Sequence, residues 1–280
     1  MSDAAQFFCF RDGSLQLVTS PPESEVVLSV ADSWLVDEGR VRNLQAHFTR
    51  FGDWVQQITD VCDEQLEPFF DAVREAIPNQ GRWFPRIEFH GEAIAPNHLF
   101  LRLREAPEQL GPITLWTYPE TDPRHHPTVK GPDLSLCLQV RRAAQMHGAD
   151  EAVFLDERGN LIEGALSSIV WWRGDVLCAP DHQTKWLPSI TRQEVFAIAE
   201  QMGIRTRTEN VRPADLVELE IWALSSLQGI RLVRDWIDLG GPVGRGGVEV
   251  LPVRRHGGGV HSVWIKPALR PDGCDRTEAD

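Results

Sequence analysis

The sequence predicts an α+β fold in two unequal parts, and three observations carry this. The first part pairs two amphipathic helical stretches with short strand-like runs. A proline- and charge-rich segment, "PETDPRHHPTVKGPD", then interrupts the pattern as an interdomain connection would. Beyond it the chain is mostly short strands with a few helices. The 280 residues fit one large or two medium domains at about 100–200 residues each. The implied division is an N-terminal α/β domain over 1–117, a connecting loop over 118–129, a second domain over 130–255 and a tail over 256–280.

The elements follow in order. "FFCFRDGSLQLV" reads as strand, turn at Asp12-Gly13, strand. "SPPESE" is a loop. "VVLSVADSWLVDEGRVRNL" is a strand, a turn near Asp37–Gly39 and a lead into a helix. Over 43–62, Leu44, Phe48, Phe51, Val55, Ile58 and Cys62 recur at helical spacing, with His47 and Arg50 on a neighbouring side. A second helix covers about 64–76. "RWFPRIEFHG" and "HLFLRLREA" read as paired strands, with "ITLWTY" a third strand of the same region.

"LSLCLQVRRAAQMHG" is a helix stopped by Gly148. "EAVFLDERGNLIEG" is strand, turn, strand, and "SSIVWWRGDVLCAP" is a hairpin turning at Arg173–Asp175. "SITRQEVFAIAEQMGI" is a helix with a capping box from Thr191 to Glu194 and a stop at Gly203. A strand at "IRTRTENV", a short helix at "RPADLVEL" and two strands in "EIWALSSLQGIRLVRDW" complete it. The tail has no clear period, and the glycines of "GGPVGRGG" lack the strand-to-helix setting of a nucleotide loop.

Composition narrows the function classes. A net charge of −13 argues against a nucleic-acid partner. It also means that an anionic cofactor needs a deliberately placed local site. The five cysteines are scattered, with no CxxC pair, and read as reduced cytosolic thiols. The first residues carry acids and no apolar core, unlike a signal peptide, and no apolar run approaches the roughly 20 residues of a membrane span. The expectation is a cytoplasmic protein without a metal site. His125-His126 lacks a carboxylate at ligand spacing.

Four features bear on chemistry. The chain has 28 basic residues but only three lysines, Lys130, Lys185 and Lys266. Arginine stays protonated, whereas a lysine can act as an amine nucleophile or proton carrier once its pKa is lowered. Lys130 is therefore a candidate for amine chemistry, though alone it also reads as a solvated loop lysine. Glu163 sits among Leu161, Ile162, Ala165 and Leu166, so it is either edge-exposed or paired with a buried cation such as a protonated ring nitrogen. Ile190 and Thr191 open a helix whose free amides favour a phosphate. Ser225 and Ser226 end a short apolar strand and offer further donors. Each of the last two also reads as ordinary capping or strand-end bonding. Arg86 and His90, on alternate strand positions and so on one face, could meet a substrate carboxylate or simply lie exposed.

Taken together, these stretches resemble the class IV aminotransferase family, the fold type IV pyridoxal-phosphate enzymes, from about Trp34 to Trp236. "HFTRF" resembles the family's H-x-x-R-[LF], "LPSITR" its L-P-G-I-T-R, and "ALSSLQGIRLV" its second phosphate-binding segment. "VKGPDLSLCLQVRRAAQMHGADEAVFLDERGNLIEG" resembles its lysine-to-glutamate block almost without gaps. The resemblance implies a smaller N-terminal α/β domain and a larger C-terminal pseudo-barrel that binds pyridoxal phosphate. Lys130 would be the Schiff-base lysine and Glu163 the partner of the pyridine nitrogen. Arg50, Ile190, Thr191, Ser225 and Ser226 would hold the phosphate. Asn160 stands where many members carry a tyrosine contacting the ring hydroxyl. The family's N-terminal substrate-lining pattern is not recognisable, so the substrate is not read across. The implied activity is amino-group transfer between an amino acid and a 2-oxo acid by a homodimer. Alternatives are a 4-amino-4-deoxychorismate lyase-like release of pyruvate and a catalytically altered relative that binds a ligand or partner.

Overall fold

The computed structural model describes residues 5–19, 28–61, 63–91, 93, 98–181, 185–237, 250–252 and 262–264. The loop at 20–25, the stretch at 240–247, Cys62, Cys274 and the tail apart from 262–264 lie outside the described residues.

The first part runs β1 (Gln6–Arg11), β2 (Ser14–Val18), β3 (Val30–Ser33), β4 (Val36–Asp37), β5 (Arg40–Val41), α1 (Leu44–Ile58), α2 (Asp63–Ala76), β6 (Arg82–Trp83), β7 (Arg86–Phe89) and β8 (Leu99–Leu103). An antiparallel sheet in the order β2-β1-β8-β7-β3 packs one face on α1 and α2, with a small β5-β4-β6 sheet beside it. Phe48, Phe51 and Val55, at helical spacing on α1, meet Phe69, Phe70, Trp34 and Ile87 in this core. Phe48 and Phe70 stack at 4.5 Å. Burying each such ring contributes about 1.5–3 kcal/mol. Ile58, expected on the apolar face, ends the helix and is 48% exposed.

The second part comprises β9 (Ile113–Thr117), α3 (Leu134–Met146), β10 (Glu151–Leu155), β11 (Leu161–Gly164), β12 (Ser168–Arg173), β13 (Val176–Pro180), α4 (Ile190–Gln201), β14 (Arg205–Glu209), β15 (Ile221–Ser225) and β16 (Gly229–Ile237). They form one mixed sheet in the order β11-β10-β9-β16-β15-β12-β13-β14. Strands β17 (Val250–Pro252) and β18 (Ser262–Trp264) pair separately.

Here one sequence expectation is corrected. Ile113–Thr117 does not join the first sheet but runs parallel between β10 and β16. Its four successive buried residues, Ile113 to Trp116, suit a strand covered on both faces.

Two local devices position the site. The Ala31 amide of β3 donates to the Lys130 carbonyl at 2.6 Å, tying the connecting segment to the first sheet. Gly131 makes this approach possible. Its φ is +147°, and a Cβ there would sit 2.9 Å from the Val30 Cα. The Asp133 carboxylate then accepts the amides of His125 (3.2 Å) and His126 (2.6 Å), closing the loop just before α3.

Candidate active site

Lys130, Arg50, Glu163, Ser225 and Ser226 line one cavity between the two sheets. Lys130 is half-buried there. Loss of hydration lowers its pKa, and the cations Arg50 and Arg86 push it further, against the pull of Asp32. Its amine is thus biased toward the neutral, nucleophilic form.

Glu163 enters the cavity from β11, paired across the ladder with Phe154. It is buried, not edge-exposed. Its Oε1 accepts from Arg124 Nη1 at 2.6 Å and from the Leu187 amide at 2.8 Å. Among the described residues no hydrogen bond reaches Oε2. Burial pushes this carboxyl up, while Arg124, the Leu187 amide and Arg192 pull it back.

Arg50 comes from α1. Its Nε and Nη2 donate to the two oxygens of Asp32 at 2.7 and 2.9 Å, and its Nη1 donates to the Pro188 carbonyl at 2.7 Å. Asp32 also accepts from His47 Nδ1 and the Ser33 amide, each at 2.7 Å. Asp32 is fully buried. Desolvation would raise its pKa, but Arg50 and His47 overcome it and hold the carboxyl well below the usual carboxylate range.

At the start of α4 the cap is Ser189, whose side chain accepts from the Arg192 amide at 3.2 Å. The expected Thr191–Glu194 box is therefore corrected: the helix starts one residue before Thr191, which lies inside the first turn. First-turn amides such as those of Ile190 and Thr191 have no acceptor within a helix. Ser189 lines the cavity, while Ile190 borders a second groove on the other side of Arg50. The Ser225 hydroxyl accepts the Gln228 amide at 3.1 Å.

Five expected residues are not on this cavity's wall: Ile190 and Thr191, and also Asn160, Arg86 and His90. Asn160 turns back on Asp156, whose carboxylate accepts both its amide (2.7 Å) and its side-chain Nδ2 (2.9 Å). Arg86 and His90 do share a face of β7. They are bridged by Glu88, which accepts from Arg86 Nε at 2.6 Å and His90 Nε2 at 3.0 Å. Arg86 is still near enough to influence Lys130. Arg102 lies opposite Arg86 on β8, with Arg104 two residues on. Burial and mutual repulsion lower both, Arg104 to about 10.

Sequence reasoning missed Asp32, Arg124 and Arg192. An acid inside the apolar run "LSVADSWLV" was a readable signal for Asp32. Arg124, inside a charged loop, carried none. Arg192 packs 3.3 Å over the Trp186 ring, and burial lowers its pKa to about 10 against the pull of Glu163.

The wall segment Gly164–Ser168 rests on Glu151, a buried acid whose carboxylate accepts the Ala152 amide (3.1 Å) and lies 3.4 Å from the Ser167 hydroxyl. Burial pushes Glu151 up to about 7. A folded-state value above the unfolded one near 4.3 means that stability falls as pH rises between the two. Glu151→Gln removes this loss. Between pH 5 and pH 8 the native protein should lose roughly 2–3 kcal/mol that the variant keeps. Urea unfolding at both pH values checks it, and identical pH dependence would refute it.

Solved structures share this fold. A Mycobacterium tuberculosis protein described as an aminotransferase, in a PLP-bound form, superposes with a TM-score of 0.74 at 20% identity, covering 87% of this chain and 94% of that one. The branched-chain aminotransferase of the archaeon Thermoproteus uzoniensis gives 0.71 at 17% identity, covering 86% and 90%. A Legionella pneumophila protein named as a 4-amino-4-deoxychorismate lyase gives 0.69 at 16% identity, covering 81% and 91%. In sequence, the branched-chain-amino-acid aminotransferases of Escherichia coli K12 and Salmonella typhimurium are 31% identical over 105 residues, 34% of this chain. That match spans about a third of those relatives' length, 34%. The family profile for amino-transferase class IV matches residues 29–236, which takes in strands of both sheets and every cavity residue named above, and on that evidence the chain belongs to the class IV aminotransferases.

Proposed function

We propose that the chain is a pyridoxal-phosphate-dependent aminotransferase that moves an amino group between an amino acid and a 2-oxo acid. The observation that carries this is one cavity shared by a lysine biased toward its neutral amine and a buried carboxylate with a free oxygen. The donor set fits the cofactor. Oε2 of Glu163 is an acceptor without a donor among the described residues, suited to a ring N–H, and Arg50, Ser225, Ser226 and the first-turn amides of Ile190 and Thr191 suit a phosphate.

Pyridoxal phosphate, when bound, supplies an aldehyde for an amine to condense with and a ring that accepts electrons. Lys130 would provide that amine and would carry a proton to and from the substrate Cα. Glu163, whose ionised form Arg124 favours against the effect of burial, would hold a proton on the ring nitrogen. Arg86 and His90, both held by Glu88 off the cavity wall, would serve a substrate carboxylate only beyond the present lining. Asn160, whose Nδ2 donates to Asp156, is a weaker candidate for the ring hydroxyl. We further infer a homodimer, as the resemblance implies. Cytoplasmic placement is supported by Cys137 and Cys178, which form no disulfide among the described residues. Among the described residues no helix is long and apolar enough to cross a membrane.

The likeness to the Legionella protein favours a second reading, a lyase that releases pyruvate from the same Lys130 site. The test has two stages. Purified protein given pyridoxal phosphate should turn yellow; a protein that stays colourless sinks both readings. Amino-group exchange with 2-oxoglutarate then supports the transaminase, and pyruvate release without exchange supports the lyase.

A further inference from the structure

The connecting loop places an arginine against the carboxylate proposed to face the cofactor ring. Arg124 is almost wholly buried, its side chain 5% exposed. Its Nε donates to both oxygens of Asp122 at 2.9 and 3.1 Å, and its Nη2 donates to Oδ2 at 2.7 Å. Its Nη1 donates to Oε1 of Glu163 at 2.6 Å. The guanidinium also lies over the Phe154 ring, 4.8 Å from its centroid, so it is held from three sides. Oε1 is thereby shared between Arg124 and the Leu187 amide, and Oε2 is left for any ligand in the cavity.

We propose that Asp122 and Arg124 are positioning residues that fix the Glu163 carboxylate and set the electrostatic potential at the ring end of the cavity. The inference rests on the pyridoxal-phosphate reading. Arg124 and Lys130 line the same cavity, where poor solvation makes a unit charge felt. A nearby cation makes it harder to keep a proton on the nitrogen that joins Lys130 to the cofactor. The two residues carry opposite charges, so their removal moves that proton's pKa in opposite directions.

The test is an absorbance–pH titration of the protein loaded with pyridoxal phosphate, following the visible band that reports the protonated nitrogen. Arg124→Gln should raise the midpoint by about one pH unit or more, and Asp122→Asn should lower it by a similar amount. Arg124→Lys, which restores the charge without the planar fork, should return most of the shift. Thermal melts alongside establish that the variants are folded. If Arg124→Gln does not fold, the sign of the Asp122→Asn shift decides alone. Midpoints that stay put, or that move the same way in both variants, overturn the inference while leaving the cofactor reading intact. A native protein with no visible band overturns the cofactor reading, and the inference with it.

Discussion

Lys130→Ala is expected to lose the visible cofactor band and at least about a thousandfold of the activity while keeping its fold. The loss follows from chemistry: without the amine there is neither a nitrogen to condense with the aldehyde nor a carrier for the substrate proton, and positioned proton transfer alone contributes about 10²–10⁴-fold. The fold survives because the anchors at this point are backbone. The Ala31 amide binds the Lys130 carbonyl, and Gly131 supplies the close approach to β3. Neither uses the lysine side chain. Lys130→Arg should fail equally, since a guanidinium keeps its proton and cannot form the imine bond. A melting temperature within a few degrees of the native one, with the band and activity gone, is the expected pattern. Retained activity in either variant would refute the role of Lys130.

What was legible in the sequence was legible for local reasons. Lys130 and Glu163 belong to one continuous segment, and its helix and hairpin formed where periodicity and turn residues put them. The turn "DERGN" was readable too, and it explains Asn160. An aspartate opening such a turn uses its carboxylate on the amides that follow, here Arg158 and Asn160. The sheet membership of Ile113–Thr117 was not readable, because strand periodicity does not name the partner strand. Its bulky Ile113, Leu115 and Trp116, interrupted only by the small Thr114, were the one hint of burial on both faces. The cap of α4 was ambiguous between neighbouring Ser189 and Thr191, both of them capping residue types. Arg124 was unreadable because its partner lies 39 residues on, across the cavity.

Asp32 supplies the second large effect. Asp32→Ala should destabilise the protein by about 3–5 kcal/mol, since it leaves Arg50 buried without its counter-charge and His47 without its hydrogen-bond partner. Asp32→Asn should cost less but lose the pH dependence. The sign follows from the folded-state pKa, which lies below the ordinary aspartate value near 4. The contribution of Asp32 is therefore present above that value and is lost as pH falls through it toward the lower folded value. Urea unfolding at pH 7 and pH 3 should show the native protein losing stability that Asp32→Asn has already lost; equal losses in both would refute the assignment. A buried ion pair is a costly way to gain stability alone. Its use here is geometric. With Nε and Nη2 fixed on Asp32 and Nη1 on Pro188, the fork of Arg50 is locked and two of its five N–H groups remain to meet a phosphate. Asp32→Asn should accordingly weaken the binding of pyridoxal phosphate even at pH 7, where the fold is retained.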